Sequence, residues 1–534
     1  MGENQSGHAF VVPAFKAFVP RKIQPWIYLL MACTFQLSSG MYMGGLGSMV
    51  GERSLLREDL TMCLYCNLAG MALYFPLLFR MKFRFTNKTL LTAACIGVIA
   101  CNLAAAHVQF LPLLWLICFV EGCCKIQGTF ECMSTIQLWM TPQRDFTVFF
   151  PFLHIIVLNA VQLNDYFATF FAEYLHWTSS HWLIIGLMLC DLLLLTIATR
   201  HVRIVRKMPL YGIDWLGALM WAAFFLQLTY LFNYGDHYNW FDGRSIRLLA
   251  VTACGTLAAC VWRMCVIRHP YISREMWRFH PRYFHVLVLT AIIEVLLGSE
   301  FVLEEIFYES GMHYAESVSA RFDWIAMIGI TCGCLFSWLW MHKWRQSYFR
   351  LITIGVAFIG FYLLSYYLVI STDINIEKIY IPVFCRGVAA AITGITLMTA
   401  LHDMMNFMLF FQALSIFQTI HLFLGGVVGS ALYSTSMRYF VNDNIVRYGT
   451  LIDEAAAALS PTDFDAFLAR FMEQMQVIAV KQVYGWLVIG TLVFFLILLF
   501  HDMPARRELK PFPTWKTVGK RLWLQVRLHG GVRA

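Results

Sequence analysis

Ile213-Asp214-Trp215-Leu216-Gly217-Ala218-Leu219 opens an apolar run that continues to Leu231 and breaks at Asn233-Tyr234-Gly235-Asp236-His237. A second run, Ile246 to Ile267, brings the chain back. Arg263, Arg268, Arg274, Arg278 and Arg282 then cluster before hydrophobicity resumes at Phe284. Each run matches the ~20 residues that cross a bilayer. The stretch from Pro209 to Phe284 therefore reads as a membrane hairpin, its tip on one side and its two basic feet on the other. Working outward, apolar windows place about six spans before it and about six after it.

Composition agrees. The chain has 534 residues, of which 59% are hydrophobic and only 13% charged, and its mean hydropathy is +0.63. A water-soluble fold of this length cannot hide that much apolar surface, so the solvent is lipid. The start, Met1 to Val12, lacks the layout of a cleaved secretory signal, and the run Trp26 to Leu46 is long enough to stay as a span. The net charge of +8 gathers in alternate loops, as topology requires, which argues against nucleic-acid binding. The sixteen cysteines lie almost entirely inside apolar runs, Cys63-Leu-Tyr-Cys66 included, and read as buried small hydrophobes. No cofactor or metal site is expected.

The expected spans are 25–47, 60–79, 89–108, 111–139, 146–172, 181–199, 213–231, 246–267, 284–307, 322–341, 349–370, 379–401, 407–434 and 482–500. With the N-terminus cytoplasmic, inner segments hold Lys16, Arg21 and Lys22; Arg80, Lys82, Arg84 and Lys88; Arg144; Arg200, Arg203, Arg206 and Lys207; the hairpin's basic foot; Lys343, Arg345 and Arg350; and the tail from Arg506. Outer segments are poorer in Lys and Arg. One span more or fewer would scramble this alternation, so both termini are expected inside. The organisation expected is a cytoplasmic segment 1–24, a six-helix bundle 25–200, an inserted hairpin 201–283, a second six-helix bundle 284–501 with an outer loop 436–481, and a basic tail 502–534. In that loop, Ser460-Pro461-Thr462-Asp463 reads as a helix start. Phe464, Phe467, Leu468, Phe471, Met472 and Met475 follow at helical spacing, an apolar stripe that lies on the bundle or membrane or docks a partner.

Charges inside spans point to function, because at mid-bilayer each costs roughly 2.5–3.5 kcal/mol unless it faces a cavity or a partner. The fourth span carries Glu121, Lys125 and Glu131; Glu121 and Lys125 have the spacing and order of a same-face pair. Gly122 and Gly128 would let a neighbouring helix come close. The fifth span adds Asn159, Gln162, Asn164 and Asp165. The ninth carries Glu294 near its middle, with no basic residue within a turn, then Glu300, Glu304 and Glu305. Glu304 and Glu305 read as mouth residues. The twelfth carries Arg386, the thirteenth Gln412, Gln418 and His421. Glu121, Glu294, Glu131 and Asp165 are thus the candidates for carrying protons, with Lys125 and Arg386 as counter-charges. Gln36, Asn159, Gln162, Glu300, Gln418 and His421 are candidates for lining a substrate cavity.

Several segments resemble one family. Ile213-Asp214-Trp215-Leu216-Gly217-Ala218-Leu219 is similar to the opening of the insert in the fourteen-span drug/proton antiporter branch of the major facilitator superfamily. Arg268-His269-Pro270-Tyr271-Ile272 and Met276-Trp277-Arg278-Phe279-His280-Pro281-Arg282-Tyr283-Phe284 resemble its approach to the second half. Ser180-His181-Trp182-Leu183-Ile184 resembles the start of its sixth span, and Leu424-Gly425-Gly426-Val427-Val428-Gly429-Ser430-Ala431-Leu432 part of its thirteenth. The first half departs: Phe83-Arg84-Phe85-Thr86-Asn87-Lys88 replaces the usual Asp-Arg-x-Gly-Arg-Lys loop, Ser38-Ser39-Gly40 stands where the first span often has an acid, and Cys118 replaces the fourth-span arginine. The resemblance implies an all-α major facilitator fold, two six-helix bundles plus a two-helix insert. It also implies proton-driven export of amphipathic small molecules across a bacterial inner membrane, with no enzymatic step. Relatives of that branch often work with a periplasmic adaptor and an outer-membrane channel, and the stripe of Phe464, Phe467, Phe471 and Met475 is where such a contact is expected. The alternatives are export of one native metabolite or lipid-like product, a non-transporting scaffold, and a polytopic membrane transferase, for which no loop offers a catalytic motif.

Overall fold

The computed structural model describes residues 14–500, apart from 39–41, 43, 54, 142–144, 203–209, 277–280, 372–373, 406 and 451–460. The expectations placed on the first 13 residues, Ser39-Gly40, Arg144, Arg203, Arg206, Lys207, Arg278, Ser460 and the tail lie outside the described residues.

The described regular structure is helical, with one isolated bridge between Phe15 and Thr199. In the first half the helices are α1 (Gln24–Leu37), α2 (Arg57–Arg84), α3 (Asn87–His107), α4 (Leu111–Met140), α5 (Phe146–Tyr174) and α6 (Ser179–Ala198). The insert is α7 (Trp215–Asn233) and α8 (Arg244–Val266). The second half contains α9 (Tyr283–Glu309), α10 (Glu316–Lys343), α11 (Tyr348–Val369), α12 (Glu377–Met404), α13 (Leu409–Gly449) and α14 (Pro461–Phe500). Among the described residues 13 helices, all but α1, are long and apolar enough to cross a membrane.

Two expectations need correction. The first span is not continuous: α1 has 14 residues, and a separate helix, Leu46–Arg53, follows a glycine-rich break. Ser38 closes α1 by turning its hydroxyl back to Phe35 O at 2.8 Å, and Gly45 takes φ +66°, a left-handed conformation that glycine alone adopts without penalty. The outer-loop helix is not separate either. It begins at Pro461 and runs without a break through the last span, 40 residues in all.

Glycines fix the approach of helices within each half. Gly70 and Gly122 set α2 against α4, each facing the other helix's backbone; Gly329 and Gly387 do the same for α10 and α12. Gly128 instead makes room for the Phe35 ring of α1. The second and fourth helices of the two halves are therefore joined by the same device.

The halves meet along two seams. On one, Asn159 of α5 donates to Thr331 of α10 at 3.0 Å, and the Tyr166 and Trp324 rings sit 5.4 Å apart. On the other, α2 faces α13: Tyr65 donates to Gly426 O (3.1 Å), Ser415 to Ala72 O (2.8 Å), and Phe79 meets Phe411 at 4.2 Å. The inserted hairpin covers this second seam. Phe225 and Phe232 of α7 flank Phe423 of α13, while Asn233 donates to Glu58 O of α2 at 2.7 Å. At its tip Asp236 pairs with Arg438 (3.0 Å); at its feet Arg263 grips Asp214 through Nη2 (2.7 Å) and Nε (3.0 Å). α8 lies outermost, its long apolar side chains at Leu248, Val251 and Trp262 exposed as lipid-facing residues are.

Candidate functional site

A cavity of about 1250 Å³ lies between the halves. Its lining runs from Arg57, Glu305 and Glu316 at one end, here the Arg57 end, to Lys82, Phe83 and Asn87 at the other, the Lys82 end. Of the sequence candidates, Glu131, Asp165, Glu294, Glu300, Arg386, Gln36, Gln162, Gln418 and His421 line it.

Glu294 does have a basic partner. His421 Nδ1 sits 2.7 Å from Glu294 Oε1, supplied by α13 rather than by α9. One turn on, Gly298 packs on the backbone of Gly425, and both pairs have the same sequence offset. One parallel register therefore sets both contacts, and the glycine pair brings carboxylate and imidazole together. Both helices are irregular here: α9 turns 3-10 over Gly298–Phe301, and α13 carries a π segment, Phe423–Val428. Such insertions re-aim side chains and recur at working sites.

Arg386 does not reach Glu294. It is held by Glu300 (3.0 Å) and Glu304 (2.7 Å). Glu304 is no mouth residue: it is 2% exposed, and besides Arg386 it accepts from Tyr362 (2.7 Å), Tyr366 (2.9 Å) and Tyr308 (3.1 Å). Its apparent place near the water in a linear count is overridden by α11, which supplies two tyrosines a turn apart. A buried carboxylate with this many donors is satisfied, and it fixes the guanidinium in one geometry.

Glu121 and Lys125 are buried away from the cavity lining. Glu121 accepts from Asn102 Nδ2 at 2.7 Å, and Asn102 Oδ1 meets His181 at 3.2 Å, so this cluster faces α3 and α6. Asn159 is also absent from the lining; its Nδ2 donates to Thr331 across the seam. Glu131 lies at the Lys82 end, fully buried, with Asn87 Nδ2 at 2.8 Å and Lys82 at 3.4 Å. Of the docking stripe, Phe464 is exposed but Met475 is buried within the chain's own core. Twelve of the sixteen free cysteines are at least partly buried; Cys190, Cys254, Cys265 and Cys332 face outward.

His154 was not read from the sequence. Its Nδ1 donates to Phe150 O (2.9 Å), which leaves Nε2 close beside Gly394 of α12, and both residues line the cavity. The signal was present: His154, Gln162 and Asp165 fall on one face of a helix.

Contacts between the halves close over both ends of the cavity. At the Arg57 end Arg57 pairs with Glu305, and Gly47 N donates to Glu316 (3.2 Å). At the Lys82 end Asp145 meets His342 (3.2 Å), Phe146 stacks on His402 at 3.8 Å, and Phe79 and Phe130 pack on Phe411. Among the described residues no group of three or more His, Cys, Asp or Glu side chains is arranged to hold a metal ion. What the cavity offers is a large greasy chamber in which several ionisable groups are held in pairs, walled by both bundles.

No protein-family model matches the chain, and no curated protein matches it. Solved structures do match in fold. The nucleoside transporter NupG aligns over 89% of this chain and 100% of its own, at 11% identity and TM-score 0.52. An auto-inhibited peptide transporter of the POT family covers 92% of this chain and 100% of its own, at 15% identity and TM-score 0.52. A POT peptide transporter in complex with alafosfalin covers 91% and 97%, at 13% identity and TM-score 0.53. The fold is the major facilitator fold of these proteins, and the chain is a multi-pass membrane protein.

Proposed function

We propose that this chain is a proton-coupled secondary transporter that exports amphipathic small molecules by alternating access. The single observation carrying this reading is the Glu294–His421 pair inside a chamber walled by both halves. A carboxylate held against an imidazole is a pair whose net charge depends on how many protons it carries, and that charge sits where the chamber must open to one side or the other. The NupG and POT structures are those of a nucleoside and of peptide transporters, which supports membrane transport as the activity. The direction, outward, rests on the resemblance of the insert to the antiporter branch. The functional units proposed are the bundles 25–200 and 284–501 moving about the chamber, with the hairpin 201–283 lying along one seam.

The energetics suffice. One proton crossing 100 mV supplies about 2.3 kcal/mol before any pH gradient is added. Glu294 is the coupling group in this reading, and Arg386 with Glu304 is a rigid charged wall beside it. Glu131 with Lys82 serves as a gate pair. Glu121 and Lys125 brace α4 from outside the chamber. If an adaptor binds, the exposed part of the stripe around Phe464 is its contact, since Met475 is occupied.

The test is transport of a panel of fluorescent amphiphiles into everted vesicles under an imposed pH gradient. Glu294→Gln should abolish gradient-driven uptake while leaving downhill equilibration, and Glu121→Gln should leave both. Gradient-driven uptake that survives Glu294→Gln removes the coupling assignment.

A further inference from the structure

We propose that the tip of the inserted hairpin is a latch over the Arg57 end of the chamber. It travels with the first half, holds the second through Arg438, and lets go when that end opens; this rests on the alternating-access reading above. The tip is part of the chamber wall, since Phe232, Asn233 and Asp236 line it. It is also bonded to both halves. Toward the first half, Asn233 donates to Glu58 O (2.7 Å) and accepts from Thr61 (3.0 Å), and Tyr234 donates to Asp59. Trp115 of α4 packs edge-on against Tyr230 and Tyr234. Toward the second half, Arg438 of α13 pairs with Asp236 and donates to Asn239 Oδ1, both at 3.0 Å, and Trp240 Nε1 donates to Thr435 (3.3 Å).

Opening at this end parts α2 from α13, so one grip must break. Tyr234 is 2% exposed and Asp59 7%, and separating them would leave buried polar groups unpaired. The side chains of Arg438 and Asp236 are 42% and 31% exposed, where water and salt take over their charges at small cost. The second grip is therefore the one that releases. The ring contacts of Phe225 and Phe232 with Phe423 lie roughly 20 Å further along α13, where a rocking movement displaces little. The backbone of the tip points the same way. Asn239 and Trp240 are consecutive non-glycine residues in the left-handed region, at φ +51° and +55°. A bulky residue stays there only where its surroundings over-determine it. Within the hairpin, Trp240 N donates to Gly235 O (2.6 Å) and its ring lies where a side chain on Gly235 would collide. The other restraints, Thr435 and Arg438, come from α13, so the strained turn belongs to the latched form.

Distances in the full chain in lipid nanodiscs test this, with spin labels carried on genetically encoded residues so that the native cysteines stay. One pair, at Tyr174 and Lys378, reports the Arg57 end. Two more run from the tip at Asp242, to Gln109 of the first half and to Val446 of the second. As the first pair changes between neutral and acidic pH, the Asp242–Val446 distance should change with it and the Asp242–Gln109 distance should not. Arg438→Glu should lower the population closed at the Arg57 end by roughly threefold. Asp236→Arg combined with Arg438→Asp should restore it, which a variant that merely misfolds would not do. A tip that stays with Val446 and leaves Gln109, an Arg438→Glu population equal to the parent's, or an exchanged pair without rescue would overturn the latch. Each of these leaves the transport reading standing, because the Tyr174–Lys378 change is read separately in the parent. A Tyr174–Lys378 distance fixed at every pH would instead remove the transport reading, and the latch with it.

Discussion

At the scale of single residues, partners from distant helices decide what each charge does. Glu294 and His421 were both visible as polar residues out of place in lipid, yet nothing in a linear chain joins a group on α9 to one on α13. The same holds for Glu304: its distance from the helix end suggests water, and only the packing of Tyr308, Tyr362 and Tyr366 makes it a fully bonded buried acid. Replacing it should therefore cost stability rather than tune a mouth. Glu304→Gln leaves Arg386 with Glu300 alone, and breaking one arm of a buried ion pair costs roughly 3 kcal/mol. A fall of several degrees in the thermal unfolding midpoint of the purified protein is expected; an unchanged midpoint would mean that the network carries no load. Glu121 reads from the sequence as an acid inside a span, and it is buried, but a helical wheel shows which face a residue takes on its own helix and not which neighbour that face meets.

At the scale of elements, apolar run length located the helices, while their breaks escaped notice. A 3-10 turn at Gly298 and a π segment at Phe423–Val428 keep the same hydrophobic composition as the helix around them, so a hydropathy window passes over them. Their consequence is testable. In Gly298→Ala the new methyl would press on the Gly425 carbonyl, at a cost of roughly 1–3 kcal/mol for overpacking. The two helices should part, and gradient-driven transport should fall as in Glu294→Gln although the glutamate is intact. The hairpin was the most legible element, and its opening motif has a structural task. Asp214 caps α7 by accepting from Gly217 N (2.9 Å) and clasps Arg263 of α8. Burial alone would raise its carboxyl, but hydrogen bonds from Arg263 and Gly217 outweigh that and hold it below the usual aspartate range. A depressed folded-state value stabilises the fold fully above the unfolded value of about 4 and stops doing so as pH falls through the folded one. Asp214→Asn should thus lower stability by roughly 1–2 kcal/mol at neutral pH. The gap should close below about pH 4, and a gap independent of pH would show that charge is not involved.

At the scale of the whole molecule, the alternation of basic loops and the count of spans led to the architecture that the fold comparison supports, with the first span broken rather than absent. The chamber was only half legible. Side chains of opposite halves meet there, and no periodicity within one helix encodes a seam between two bundles. The central claim is that the halves open the chamber at one end or the other according to the proton on Glu294. Paired spin labels measure this directly: one pair at Tyr174 and Lys378 across the Arg57 end, another at His201 and Lys343 across the Lys82 end. Between neutral and acidic pH the two distances should change in opposite directions, and Glu294→Gln should hold both at a single setting across that range. Distances that shift together, or that respond to pH as before when Glu294 is glutamine, would contradict the account.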